Sequence, residues 1–187
     1  FAILFSIADE KKQEKILKNV LENDEIPAIT TPYFNFFELD VLCRMGKLTE
    51  VLDKIRSYWG GMLDLGAVTF WEEYDPSVPK EEQYDMYGDH FGKSLCHAWA
   101  ASPIYFLAKY FAGLDLVNKD GVTYILKPQM QYFTELDCTL PVGSNGVMRL
   151  VWDGEILEIT PNADGGILEL GEQKLSLVRG ETRRVKI

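Results

Sequence analysis

The feature that most constrains this chain is a change of hydrophobic period near Asn118. Before it, apolar residues recur at helical spacing. After it, Val122, Tyr124 and Leu126 alternate with Thr123, Ile125 and Lys127, and short apolar runs follow. These are Val147, Leu150 and Trp152, then Ile156, Leu157 and Ile159, then Ile167, Leu168 and Leu170, then Leu175, Leu177 and Val178. Gly143-Ser144-Asn145-Gly146, Asp153-Gly154, Asp164-Gly165-Gly166 and Gly171 separate them. A period of two with regularly spaced turn signals implies a small antiparallel β-sandwich. Two architectures in tandem are therefore expected: a helical region over 1–117 and a β-sandwich domain over 118–187. Aromatic usage agrees, since only Tyr124, Tyr132, Phe133 and Trp152 fall in the second region.

The helical part reads as hairpins. Asp9 is a candidate N-cap for a helix with Ile16, Leu17, Val20 and Leu21 as its stripe. Thr30-Thr31-Pro32 opens a second helix, with Phe34, Phe37, Val41, Leu42 and Met45 at core spacing and Gly46 as its stop. A third starts at Thr49, with Leu52, Ile55 and Trp59 inward, and Gly60-Gly61 is read as its end. Residues 60–96 are rich in Gly, Pro, aromatics and acids, which predicts a long ordered loop region rather than a linker. A short helix over 94–101 and a further one from Ser102-Pro103 follow, the latter with Ile104, Leu107, Ala108 and Phe111 as its stripe.

Composition removes several function classes. A net charge of −10 over 187 residues argues against a nucleic-acid partner. No apolar run is long enough to span a membrane. Cys43, Cys96 and Cys138 are too few and too scattered for a disulfide framework or a zinc cage, and no metal or cofactor motif occurs. Free thiols fit a soluble protein of either the cytoplasm or a periplasm. The opening Phe1-Ala2-Ile3-Leu4-Phe5 has no basic start and reads as the last turn of a helix, so the chain is expected to be a piece of a longer protein.

Two residues stand out as chemistry. Glu72 follows Phe70 and Trp71 in the Gly- and Pro-flanked stretch Gly66-Ala67-Val68-Thr69-Phe70-Trp71-Glu72. A carboxylate beside large aromatics is partly desolvated, which tunes its protonation, and aromatic faces serve as platforms for sugar rings. The alternative is a solvated loop acid, and neighbouring Glu73 competes for the role. In an extended segment the two face opposite sides, so only one can serve a site. His97, in Cys96-His97-Ala98-Trp99, can bond a substrate hydroxyl or act as an acid or base. Its alternative is a histidine packed on Trp99.

Four segments in order, Thr30-Thr31-Pro32-Tyr33-Phe34, Tyr58-Trp59-Gly60-Gly61-Met62, residues 66–72 and Cys96-His97-Ala98-Trp99-Ala100, resemble the C-terminal part of bacterial α-L-rhamnosidases, glycoside hydrolase family 78. The resemblance implies the last helices of an (α/α)6 barrel followed by a β-sandwich, an α+β multi-domain arrangement. It implies hydrolysis of terminal α-L-rhamnosyl residues with inversion, which needs an acid and a base on two carboxyl groups. Glu72 then maps onto the general base, His97 onto a sugar contact, and Trp71 and Phe70 onto the wall of the site. The family's general acid lies in an earlier acidic motif with no counterpart here. On that reading the partners are rhamnose-containing glycosides and the N-terminal part of the same enzyme, and the isolated piece is inactive and prone to self-association through its uncovered apolar face. The competing readings are a non-catalytic carbohydrate-binding module and an interaction scaffold.

Overall fold

The computed structural model describes residues 1–119, 122–142 and 146–187. The chain forms two compact units, Phe1–Pro103 and Ile104–Ile187. Three of the turn residues read ahead of the Val147, Leu150 and Trp152 run, Gly143, Ser144 and Asn145, lie outside the described residues.

The first unit is built from helices α1 (Glu10–Ile16), α2 (Pro32–Arg44), α3 (Leu48–Lys54) and α4 (Gly60–Asp64). Wider π-type turns extend α1 over Leu17–Leu21 and α3 over Ile55–Trp59. Asp9 caps α1, its carboxylate accepting from the Lys12 N–H at 2.9 Å. Pro32 opens α2, where its missing N–H costs nothing.

Two sequence readings need correction here. The buried face of α2 is Asn35, Leu39, Asp40, Val41, Leu42 and Cys43, while Phe34 is exposed. Polar Asn35 is tolerated inside because its amide donates to the Ile29 and Thr31 carbonyls, and Asp40 pairs with Arg44 at 2.8 Å. Phe34 and Phe37 instead join a surface cluster of rings with Tyr33. The Gly60-Gly61 pair does not end a helix. Both residues lie in α4, and a Cβ on Gly61 would sit 2.4 Å from the Tyr74 hydroxyl oxygen. That glycine marks close passage of the loop over the helix, a role spacing alone does not separate from a stop.

The unit boundary falls within α5 (Ser102–Phe106), which continues as a wide turn over Leu107–Phe111. Its buried aromatic residues are Phe106 and Phe111, whereas Ile104 is exposed, so the expected stripe is shifted around the helix.

Among the described residues, the second unit holds eight strands: β1 (Leu114–Lys119), β2 (Val122–Leu126), β3 (Leu136–Val142), β4 (Gly146–Trp152), β5 (Ile156–Pro161), β6 (Gly166–Leu170), β7 (Gln173–Leu177) and β8 (Arg183–Lys186). They form two four-stranded sheets, ordered β1-β2-β6-β7 and β3-β4-β5-β8. All pairings are antiparallel except β2 with β6. Both sheets feed one core: Tyr124, Leu126 and Leu168 from the first meet Val142, Met148, Leu150, Leu157 and Ile159 from the second. Two sheets sharing one apolar interior make a β-sandwich, and the whole chain is α+β.

Candidate active site

The loop carrying Glu72 is fixed from both sides. Beneath it, the Thr30 hydroxyl donates to Glu73 Oε1 at 2.9 Å, and the Tyr74 N–H donates to the Thr30 carbonyl at 3.2 Å. The Tyr58 hydroxyl also donates to the Thr30 carbonyl. Alongside it, the Glu72 N–H donates to the Ser94 carbonyl at 2.9 Å and the His97 N–H to the Phe70 carbonyl at 2.8 Å. The Thr69 hydroxyl reaches the Leu95 carbonyl. Further on, the Trp59 indole N–H holds the Ala100 carbonyl at 2.8 Å. Two irregular segments, 69–74 and 93–97, are thus laced together on a helical base. The two adjacent acids part company: Glu73 is held by Thr30, while Glu72 turns to other partners.

Glu72 is only 6% exposed, which is rare for a glutamate without partners. Its Oε1 accepts from the Tyr87 hydroxyl at 2.7 Å, and its Oε2 from the Ser94 N–H at 3.1 Å. His97 Nδ1 lies 3.8 Å from Oε2, beyond direct hydrogen bonding but close enough for a positive imidazole to act on the carboxylate. The Tyr87 bond holds the Glu72 carboxyl below its usual range. Burial opposes it, and the Ser94 N–H, His97 and Lys93 add to it. Lys93 is buried, which pulls its ammonium down, against the attraction of Glu73, Asp75, Asp85 and Glu72. A carboxyl so held is ionised at neutral pH, the state a base needs and an acid does not.

The linkage has a definite sign. A folded-state value below 4.5 stabilises the fold fully above that pH and loses the contribution as pH falls through the lowered value. Wild-type chain should therefore lose more stability than Glu72→Gln between pH 5 and pH 3, read from urea midpoints. Parallel losses in the two proteins would contradict the ionised, bonded state of Glu72.

Tyr87 was not legible as a site residue. It occupies a two-residue turn closed by reciprocal bonds between Met86 and Asp89, at 3.0 and 2.9 Å. Tyr87 has φ 56° and Gly88 φ 81°. Such hairpin turns want positive φ at both central positions. Glycine meets this freely, whereas tyrosine pays on the order of 1–2 kcal/mol. The Tyr87-Gly88 pair was the only available signal, and it announces a turn without announcing which carboxylate the phenol meets.

The other residues singled out in the sequence are placed as follows. Trp71 is 3% exposed and packs edge-on against Tyr84 at 5.6 Å, as a wedge under the loop. Phe70 is half-buried and gives its carbonyl to His97. His97 is half-buried with its ring 4.0 Å from that of Trp99. Trp99 in turn meets Tyr33 at 5.3 Å, and both are exposed. Rings of Tyr33, Phe34, Phe37, Phe1 and Phe5 continue the contact series. His90 is exposed and paired with Asp85 at 2.5 Å. Two cavities of about 690 and about 500 Å³ lie elsewhere in this unit, under the N-terminal turn and beside Tyr58, and neither is lined by Glu72 or His97.

The three cysteines are free thiols. Among the described residues, no group of three or more His, Cys, Asp or Glu side chains is placed to hold a metal ion. No helix there is long and apolar enough to cross a membrane.

Comparison with known proteins places this geometry in context. No family model matches the chain, and no curated protein does. Among solved structures, the crystal structure of a GH78 family rhamnosidase of Bacillus sp. GL1 is similar, with a TM-score of 0.69 and 22% identity. The likeness covers 91% of this chain and 18% of that one, so the chain spans under a fifth of the neighbour's length. At that identity the likeness is one of fold: this chain has the fold of a region of a glycoside hydrolase.

Proposed function

We propose that the chain is the C-terminal portion of an inverting α-L-rhamnosidase, with Glu72 as the general base. The observation that carries this reading is the buried, ionised Glu72 carboxylate, gripped by Tyr87 and Ser94 with His97 at 3.8 Å. The fold shared with a GH78 rhamnosidase over 91% of the chain supports it. The helices of the first unit are then the last of an (α/α)6 barrel.

In the reaction, Glu72 takes a proton from a water whose oxygen attacks the anomeric carbon. A carboxylic acid from polypeptide outside this chain gives its proton to the departing glycosidic oxygen as the C–O bond breaks. Inversion sets these two carboxyl groups about 6.5–9.5 Å apart, leaving room for the water. His97 bonds a sugar hydroxyl, and Trp71 and Phe70 shape the wall of the site around it. The isolated chain binds rhamnosides at best and hydrolyses nothing. Co-expression with the remaining polypeptide and assay on an aryl α-L-rhamnoside tests this, and absence of hydrolysis by the assembled protein ends it.

A second reading, a sugar-binding module without catalysis, is favoured by one observation. Trp99, Tyr33 and Phe34 are exposed and run on from His97. Aromatic faces of that kind stack on the apolar faces of sugars. Saturable rhamnose binding by an assembled protein that never turns over would select it. The same exposed rings are the natural surface for self-association.

A further inference from the structure

The geometry points to Tyr87 as the positioning residue for Glu72, held by its turn so that the phenol hydroxyl fixes Oε1 and leaves the Oε2 edge facing His97. This rests on Glu72 acting as the base. It adds a residue that neither the sequence motifs nor the fold comparison supplies.

Three independent features carry it. First, the hydroxyl lies 2.7 Å from Oε1. That is the length of a charge-assisted bond. Second, the same carboxylate takes the Ser94 N–H on its other oxygen, so the two bonds together define the plane of the group. Third, Tyr87 adopts φ 56° in a turn whose neighbour is Gly88 at φ 81°. Bulky side chains are outliers in that region, and such outliers cluster where a side chain must be presented in one direction.

Exposure supports the assignment. Tyr87 is 78% exposed although Glu72 is buried. The ring therefore contributes little to the core, and its hydroxyl is its main tie to the fold. The hydrogen bond it donates to Glu72 raises the phenol above its ordinary value, with desolvation and the repulsion of the carboxylate adding to it, so the donor persists at every pH where the base is needed. Only the proton-donating direction is available, since an ionised carboxylate has nothing to donate.

Titration of the Glu72 side chain tests this in the 187-residue chain carrying 13C-labelled glutamate, with Glu72→Gln identifying the resonance. Tyr87→Phe keeps the ring and removes the hydroxyl. Tyr87→Asn suits the left-handed backbone and cannot reach Glu72. Both are expected to move the Glu72 midpoint upward. An unmoved midpoint in either variant overturns the inference. In the assembled enzyme, Tyr87→Phe should lower kcat by up to about 10²-fold with KM little changed, the size seen when a reacting group is misplaced by about 1 Å. The acid limb of kcat/KM should shift upward with it, which a structural role alone would not produce. An unmoved acid limb beside a shifted midpoint also overturns the positioning role. If Glu72→Gln remains active, the base assignment fails instead, and the titration still reports whether Tyr87 and Glu72 are coupled.

Discussion

With Glu72 as the proposed general base, Glu72→Gln in the assembled protein is expected to lower turnover by about 10²- to 10⁴-fold, the contribution of a positioned base. That corresponds to roughly 3–5 kcal/mol of barrier. The exchange is nearly isosteric, so the loop should keep its path: Thr30 still holds Glu73, and Ser94 still pairs with the main chain at 72. Binding should survive within a few-fold, because on the proposed reading the carboxylate acts on water rather than on the sugar. Azide sharpens the test. It is already anionic and needs no base, so it should restore turnover in the variant and give the β-rhamnosyl azide by attack on the face the water used. Such rescue separates a base from a missing acid, whose loss weak leaving groups would feel most. Turnover close to wild type in Glu72→Gln would remove the carboxylate from the mechanism.

How far the sequence foretold this site depends on which force fixes each residue. Glu72 is legible as a chemistry-bearing type in an aromatic loop and His97 as one just after it, and the structure sets them 3.8 Å apart. Tyr87 and Lys93 were not, because their relation to Glu72 is made by chain crossings at 15 and 21 residues' separation that no local period encodes. The strands follow the same logic. β2 and β5 declared themselves because both bury alternate residues that are apolar. β8 stayed hidden: Arg183, Arg184 and Lys186 look like a solvated tail, yet β8 pairs with β5 at the sheet edge and Arg184 meets Glu158 at 2.6 Å. Edge strands are charged for good reason, since charge discourages pairing with other chains. β3 was masked by Pro141, which a central strand could not hold but an edge strand can. The helix α2 misled in the opposite sense. Its phenylalanines have the stronger apolar signal, while Asn35 enters the interior with its amide N–H groups bonded to the Ile29 and Thr31 carbonyls, and Asp40 with an ion pair to Arg44.

The largest stability effect is expected at Gly113, where the chain leaves α5 for β1. Gly113 has φ 77°, and a Cβ there would lie 2.0 Å from the Lys127 carbonyl oxygen and 2.2 Å from its carbon. Those atoms are backbone and cannot rotate away. Lys127 is itself tied to Gly113, its N–H donating to the Gly113 carbonyl at 2.9 Å, and Leu114 pairs with Leu126 one step further on. Relief of the clash must therefore part β1 from β2, whose Tyr124 and Leu126 are fully buried in the sandwich core. The left-handed backbone alone costs an alanine about 1–2 kcal/mol. Adding the clash, Gly113→Ala should cost at least about 3 kcal/mol, in the range reserved for strain at special backbone positions. Gly171→Ala is the matched control: φ is 59° in the β6–β7 turn, and nothing lies within 4 Å of the added Cβ. It should lose only the backbone part. Urea unfolding of the two variants measures the difference directly. If Gly113→Ala is destabilised no more than Gly171→Ala, the close approach of Lys127 is not what demands glycine at this corner.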